Sequence, residues 1–136
     1  MKKPVLYVVV PCYNEEEVLP ETSKRLKSKL EHLIEVGKIS GNSKIMFVND
    51  GSKDRTWDMI AQLHRSDPMF SGVNLSRNRG HQNALLAGLM TAKERCDVSI
   101  SMDADLQDDI DAVDAMLDKF AAVSYTHLTL PTMAVV

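Results

Sequence analysis

Apolar and polar positions alternate along this chain in a repeating order: a short apolar run, a polar cluster, then a longer stretch with apolar residues three and four apart. Residues 5–10, Val-Leu-Tyr-Val-Val-Val, are continuously apolar and end at Pro11, as expected of a central parallel strand buried on both faces. Val18, Leu19, Thr22, Leu26, Leu30, Leu33 and Ile34 then mark one face of an amphipathic helix, with acidic residues crowding its first turn and Gly37 ending it. Residues 44–48 predict a second strand. The helix after it is expected to be capped by Ser52 or Asp54 and to turn Trp57, Ile60, Ala61 and His64 inward, up to the break at Asp67-Pro68. Residues 71–75 predict a weaker third strand, and 83–93 an Ala- and Leu-rich helix largely buried. Residues 98–102 predict a fourth strand, and Val113, Met116, Leu117 and Phe120 a last amphipathic helix. This alternation predicts an α/β fold of right-handed βαβ units, with a mostly parallel sheet and helices on both faces.

Composition narrows the reading. The chain has 136 residues, 44% of them hydrophobic and 26% charged, as in one ordinary globular domain. A net charge of -3 with 5% aromatic residues gives no basic footprint for nucleic acid. No apolar run is long enough to span a membrane or to serve as a signal peptide core, so a cytoplasmic location is expected. Cys12 and Cys96 lie far apart without metal-ligand spacing, and free thiols are expected.

Each expected strand delivers chemistry at its carboxyl end, where open α/β sheets bind ligands. Tyr13 and Glu15 follow the first, Asp50 the second, Arg77 and Asn78 the third, and Asp103 and Asp105 the fourth. In extended backbone, residues 103 and 105 leave on the same side, and two carboxylates so placed repel unless a cation compensates. Hard oxygen donors without nearby His or Cys suit Mg²⁺ or Mn²⁺, ions that are commonly shared with a substrate diphosphate. Taken alone, Asp-x-Asp serves equally well as a solvated turn or a helix N-cap. The set as a whole suits a nucleoside diphosphate, with Arg77 as a cation for the departing charge. No glycine occurs in residues 11–17, which excludes a dinucleotide-binding turn after the first strand.

Four ordered segments carry a specific resemblance: Tyr-Val-Val-Val-Pro-Cys-Tyr-Asn-Glu-Glu-Glu, Val-Asn-Asp-Gly-Ser-Lys-Asp, Leu-Ser-Arg-Asn-Arg-Gly and Met-Asp-Ala-Asp-Leu-Gln. Together they resemble the family 2 glycosyltransferases of the GT-A fold, most closely the branch that moves a sugar from a nucleotide onto a polyprenyl phosphate. The resemblance implies that Pro11, Tyr13 and Glu15 line the nucleotide pocket and that Asp50 contacts the base. It also implies that Asp103, Asp105 and Gln107 hold a metal and the diphosphate, with Ala104 against the nucleotide. Inverting transfer from a UDP- or GDP-sugar follows, to a polyprenyl phosphate or alternatively to a saccharide hydroxyl, at the cytoplasmic face of a membrane.

Departures from the family pattern are as informative. Asp108-Asp109-Ile110-Asp111 stands where the family often has a Pro-Pro-Glu turn, and His81 where a Lys is frequent; an exposed helix-start histidine is the simpler account of it. The family's acceptor-side half, with any membrane contact, is absent, so a domain that binds nucleotide-sugar without turnover is the competing expectation. Residues 1–122 are expected to form the donor half of a GT-A domain. Residues 123–136, whose Ser-Tyr-Thr-His-Leu-Thr-Leu-Pro-Thr resembles translated vector sequence, are expected to be a non-native tail rather than a hairpin or strand. The sheet is then expected to end on an unpaired edge beside the fourth strand.

Overall fold

The computed structural model describes residues 3–105, 110–126 and 133–135. The elements are β1 (Leu6–Cys12), α1 (Leu19–Glu35), β2 (Lys44–Asp50), α2 (Thr56–Ser66), β3 (Phe70–Leu75), α3 (His81–Lys93), β4 (Val98–Ser101), α4 (Ala112–Thr126) and β5 (Met133–Val135). All the strands pair in parallel, in the order β3-β2-β1-β4-β5.

β1 is the centre, and every one of its residues is buried. Leu6, Val8 and Val10 face Leu26, Leu30 and Leu33 of α1, Ile60 of α2 and Leu117 of α4 in one apolar layer. Tyr7 and Val9 face the opposite layer, with Met46 and Val48 of β2 and Ala84 and Ala92 of α3. A continuous apolar run is what a strand buried on both faces needs.

The strand does not stop at Pro11 as its sequence suggests; it runs through to Cys12, with Pro11 in register with Val48. Odd-numbered residues of this segment turn their backbone toward β4: Val5 O accepts from Val98 N–H at 3.1 Å, and Val9 O accepts from Met102 N–H at 3.1 Å. The N–H that Pro11 lacks would therefore point past the end of β4, where the ladder asks for no donor.

Helix α3 departs from expectation in the opposite sense. Only Ala84, Gly88 and Ala92 are buried, while Leu86 and Met90 are exposed. A stripe of small residues lets the helix backbone lie close on the sheet, Leu85 and Leu89 pack half-buried beside it, and Leu86 and Met90 turn outward. At Gly88 a Cβ would stand 2.6 Å from both Val9 Cγ1 and Val48 Cγ2. Two helix starts also shift from the sequence reading. α1 begins at Leu19 with Glu21 alone as the acid of its first turn, because Glu15 opens a turn whose carbonyl accepts from Val18 and Leu19 N–H. α2 begins at Thr56, and Asp54 receives the Thr56 N–H at 2.9 Å from two residues upstream.

Beside β4 the sheet does not end on an unpaired edge, since β5 pairs there with Val98, Ser99 and Ile100. From β1 to β3 the chain crosses one way over the face of α1 and α2, and from β3 to β4 it returns over the face of α3. That reversal of both direction and face keeps one hand, as the crossover rule requires. β5 continues in the second direction although α4 packs on the α1 face, so this connection departs from the right-handed units expected.

Neither cysteine is in a disulfide, as expected, and both are buried. Burial, and then Asp97 nearby, push the Cys96 thiol up to about 11, so it stays protonated at neutral pH.

Gly88→Ala should destabilise the fold despite alanine's better helix propensity. The gain of about 1 kcal/mol from propensity is smaller than the roughly 1–3 kcal/mol of overpacking against two fully buried valines. A urea midpoint below wild type with an unchanged slope is the expected result; a higher midpoint would contradict the packing account.

Candidate functional site

The carboxyl ends of β1, β2 and β4, with the loop before α3, enclose a cleft of about 300 Å³. β1 delivers Pro11, Cys12, Tyr13 and Glu15, and β2 delivers Asp50; Asn78, Gly80 and His81 come from the loop before α3 and its first turn. Asp103, Ala104 and Asp105, which follow β4, complete the wall. The cleft lies between β1 and β4, where successive connections leave in opposite directions, the usual ligand position in open α/β sheets.

The Asp-Ala-Asp segment is not extended. β4 ends at Ser101, and residues 104–105 form a turn. Ala104 points inward and is buried, while Asp103 and Asp105 are exposed. The two carboxylates thus reach the same cleft through a turn anchored by its middle residue, a correction to the strand geometry expected. The Thr22 hydroxyl of α1 donates to the Ala104 carbonyl, and Met102 N–H is bonded to β1. Across the cleft, His81 Nε2 stands 3.9 Å from Asp103 Oδ1.

A second set of bonds fixes the facing loops. Asn14, in the left-handed region at φ 52°, donates its N–H to Ser52 Oγ at 2.9 Å, and its Oδ1 accepts from Lys53 N–H at 2.8 Å. Glu15 N–H donates to Thr56 Oγ1 at 2.9 Å and Glu16 N–H to Asp54 Oδ2 at 3.3 Å. Asp50 is buried, and its Oδ1 accepts Arg79 N–H at 2.6 Å. Gly51, at φ 68°, makes this possible: a Cβ there would collide with the backbone of Arg77 and Asn78.

Electrostatically the site is short of positive charge. Burial, and then the carboxylates of Asp105, Asp54 and Asp103, raise the Glu15 carboxyl above its ordinary value of 4.5. Asp54 is held below 3.8: burial pushes it up, but hydrogen bonds from the Thr56 hydroxyl and from the Thr56 and Glu16 N–H groups outweigh that.

Residues 7–130 match the model of the family described as Glycosyl transferase family 2. The chain belongs to this family. An uncharacterized glycosyltransferase of Bacillus subtilis, YkoT, is 52% identical over 118 residues, which is 87% of this chain and 35% of the relative. A prophage bactoprenol glucosyl transferase homolog of Escherichia coli is 39% identical over 115 residues, 85% of this chain and 35% of the relative. The chain thus spans about a third of the length of the curated relatives it matches. Among solved structures, Staphylococcus aureus TarS (residues 1–349) aligns with a TM-score of 0.60 at 21% identity, covering 88% of this chain and 33% of that one. The mannosyltransferase PcManGT from Pyrobaculum calidifontis, in complex with GDP-Man and Mn²⁺, aligns at 0.56 and 23% identity, covering 77% of this chain and 28% of that one. Both show the fold, GT-A.

Of the residues expected in the site of this family 2 chain, Pro11, Tyr13, Glu15, Asp50, Asp103, Ala104 and Asp105 meet in the cleft. Gln107 lies outside the described residues. Arg77 is exposed and does not line the cleft: its backbone lies over Gly51, and the Asp50 bond to Arg79 turns the residues after it, Gly80 and His81, inward instead. Asn78 lines the cleft as its place at the third strand's end suggested, Cys12 and Gly80 were not expected there, and His81 lines the cleft as well as starting α3. Cys12 is adjacent to Pro11 and Tyr13, which was signal enough for it; the side to which the loop before α3 turns has no mark in the sequence.

Because Asp54 has a lowered value in the folded chain, its contribution to stability is present above about pH 4 and is lost as pH falls through the folded value. Asp54→Asn should therefore lower the urea midpoint at about pH 7 and reduce its dependence on pH between about 5 and about 2.5, the range in which carboxylates titrate. An unchanged acid slope in the variant would show that the latch between the two loops contributes nothing.

Proposed function

We propose that this chain is the donor half, residues 1–122, of a metal-dependent inverting glycosyltransferase that moves a sugar from a UDP- or GDP-sugar onto a polyprenyl phosphate. The parent protein would work at the cytoplasmic face of a membrane, where such acceptors are presented. The observation that carries this reading is the convergence of Asp103 and Asp105 on one turn with Glu15, Asp50 and His81 around a single cleft. The bactoprenol glucosyl transferase homolog supports the lipid acceptor, and the GDP-Man and Mn²⁺ complex of the mannosyltransferase supports the donor and the metal.

The donor set fits the ion. Among the described residues no three His, Cys, Asp or Glu side chains form a ligand cluster. Mg²⁺ and Mn²⁺ do not require one: they are commonly held by one or two carboxylates, with substrate phosphate oxygens and water completing the shell. Asp103 and Asp105 would hold the ion, joined by Gln107 as the family resemblance implies. When bound, it supplies positive charge to the diphosphate that departs, a contribution usually among the largest in such reactions.

This chain's own residues bind and orient. Pro11, Tyr13 and Ala104 offer the surface for the nucleotide, and Asp50 accepts from the base while its other oxygen holds Arg79. Arg77 enters the reading as a cation for the diphosphate that must reach in from outside the cleft wall. The acceptor oxygen attacks the anomeric carbon from the face opposite the diphosphate, the glycosidic bond to the donor breaks, and configuration inverts. A phosphate acceptor is anionic at neutral pH and asks for no strong base. A saccharide hydroxyl would ask for one, and no residue is assigned to that role.

The alternative reading is binding of nucleotide-sugar without turnover; the chain spans about a third of the length of the curated relatives it matches. Product formation from UDP-glucose or GDP-mannose with an added polyprenyl phosphate separates the two. Residues 123–136 supply no described residue to the cleft; they hold the end of α4 and, against the expectation of no strand there, β5, and in this reading they remain a non-native tail. Among the described residues, no helix is long and apolar enough to cross a membrane.

Calorimetric titration with UDP and GDP, in Mn²⁺ and in EDTA, tests the shared core of both readings. Metal should tighten binding of one nucleotide by at least about tenfold, or about 1.4 kcal/mol, and Asp105→Ala should abolish that difference. Equal affinity with and without metal would refute metal-dependent donor binding.

A further inference from the structure

Thr22 is a polar residue at an apolar position. It lies on the face of α1 that carries Leu19, Leu26, Leu30 and Leu33, it is buried, and its hydroxyl donates to the carbonyl of Ala104, 82 residues away. Ala104 is the residue between the two carboxylates. Nothing else about the core calls for a hydroxyl there, since valine has the same shape and would fill the space without a polar group to satisfy.

We infer that Thr22 is the positioning residue for the metal-holding turn: through one buried hydrogen bond it fixes the Ala104 peptide, and with it the directions in which Asp103 and Asp105 leave the backbone. The inference rests on the functional reading above and extends it to a residue that touches neither metal nor nucleotide. Two neighbouring restraints mark where this bond acts. Before the turn, Met102 N–H is tied to Val9. After it, Lys29 of α1 reaches Asp111 at 3.2 Å and Asp114 at 2.5 Å. Thr22 holds the middle.

The same bond links the two walls of the cleft. α1 starts from the carbonyl of Glu15, which receives Val18 and Leu19 N–H, and Thr22 N–H is bonded to Val18 O. The loop carrying Tyr13 and Glu15 is therefore joined by less than two helical turns to the Ala104 carbonyl. A like-charged set needs such a restraint, because Glu15, Asp103 and Asp105 repel one another until a cation arrives, and a free turn would relax outward. Holding the turn before binding lowers the ordering cost that the metal would otherwise meet.

The test uses the full 136-residue chain as Thr22→Val, which removes the donor and keeps the shape, and Thr22→Ser, which keeps the donor. Ser23→Ala is the control, because the Ser23 side chain is also largely buried but, among the described residues, its hydroxyl donates within α1, to Pro20 O at 3.0 Å. Two measurements are made: amide hydrogen exchange of residues 103–105 without metal, and the affinity for UDP and GDP in Mn²⁺ and in EDTA. Thr22→Val should accelerate the exchange and weaken the Mn²⁺-dependent affinity by about three- to tenfold, the net worth of one buried hydrogen bond, leaving the EDTA value unchanged. Thr22→Ser should restore both, and Ser23→Ala should move neither. If Thr22→Val does not fold, Thr22→Ala against Thr22→Ser makes the same comparison. Wild-type exchange and affinity in Thr22→Val, or equal impairment in Thr22→Ser, would overturn the assignment. A wild-type chain without any Mn²⁺-dependent binding would overturn the functional reading instead, and exchange alone would then decide whether Thr22 orders the turn.

Discussion

Crowding of negative charge at one sheet edge is the constraint to which the rest of the structure answers. Asp103 and Asp105 share a turn, Glu15 faces them from the neighbouring strand's end, and burial and then this field lift the Glu15 carboxyl above its ordinary range. Such groups stay together only if the backbone beneath them is held from several sides. β1 supplies the first hold, through the bond from Met102 to Val9. Thr22 supplies the second, through Ala104. The Asn14, Ser52, Asp54 and Thr56 network supplies the third by fixing the loop that carries Glu15 to the loop after β2. A solvated turn would need none of this, and its middle residue would not be buried.

The fold serves that edge in simple ways. A central strand buried on both faces brings three strand ends within reach of one small ligand. Small residues on α3 let that helix close the back of the sheet, and its start, His81, looks across at Asp103. Gly51 lets the loops after β2 and β3 touch backbone to backbone, so Asp50 can hold Arg79 while remaining on the cleft wall. Membership of glycosyl transferase family 2 agrees with this arrangement, and the chain spans about a third of the length of the curated relatives it matches.

What the sequence made legible follows from which signals are local. The apolar runs of β1, β2 and β4 and the carboxylates that end them are adjacent in the chain, so the strand order of events and most of the cleft were readable from spacing. Three things were not. Pro11 looked like a terminator, because the strand's hydrogen-bonding parity, which decides whether a missing N–H matters, depends on where β4 ends. Arg77 looked like a cleft residue, because the turn imposed by Asp50 on Arg79 joins positions 29 residues apart. α3 looked largely buried, because it is rich in both Ala and Leu, whereas close approach to Val9 and Val48 selects the small ones for the face on the sheet. Thr22 stood in the apolar periodicity as a polar exception, and that exception was the trace of a bond to a distant turn.

The central claim is that Asp103 and Asp105 cradle a divalent cation together with a nucleotide's diphosphate. Crystals of the chain grown with Mn²⁺ and UDP or GDP, measured for manganese anomalous scattering, address it directly. The account requires a single strong peak in the cleft, about 2.0–2.2 Å from a carboxylate oxygen of Asp103 or Asp105 and from a diphosphate oxygen. A nucleotide seated in the cleft with no manganese beside either carboxylate would contradict it.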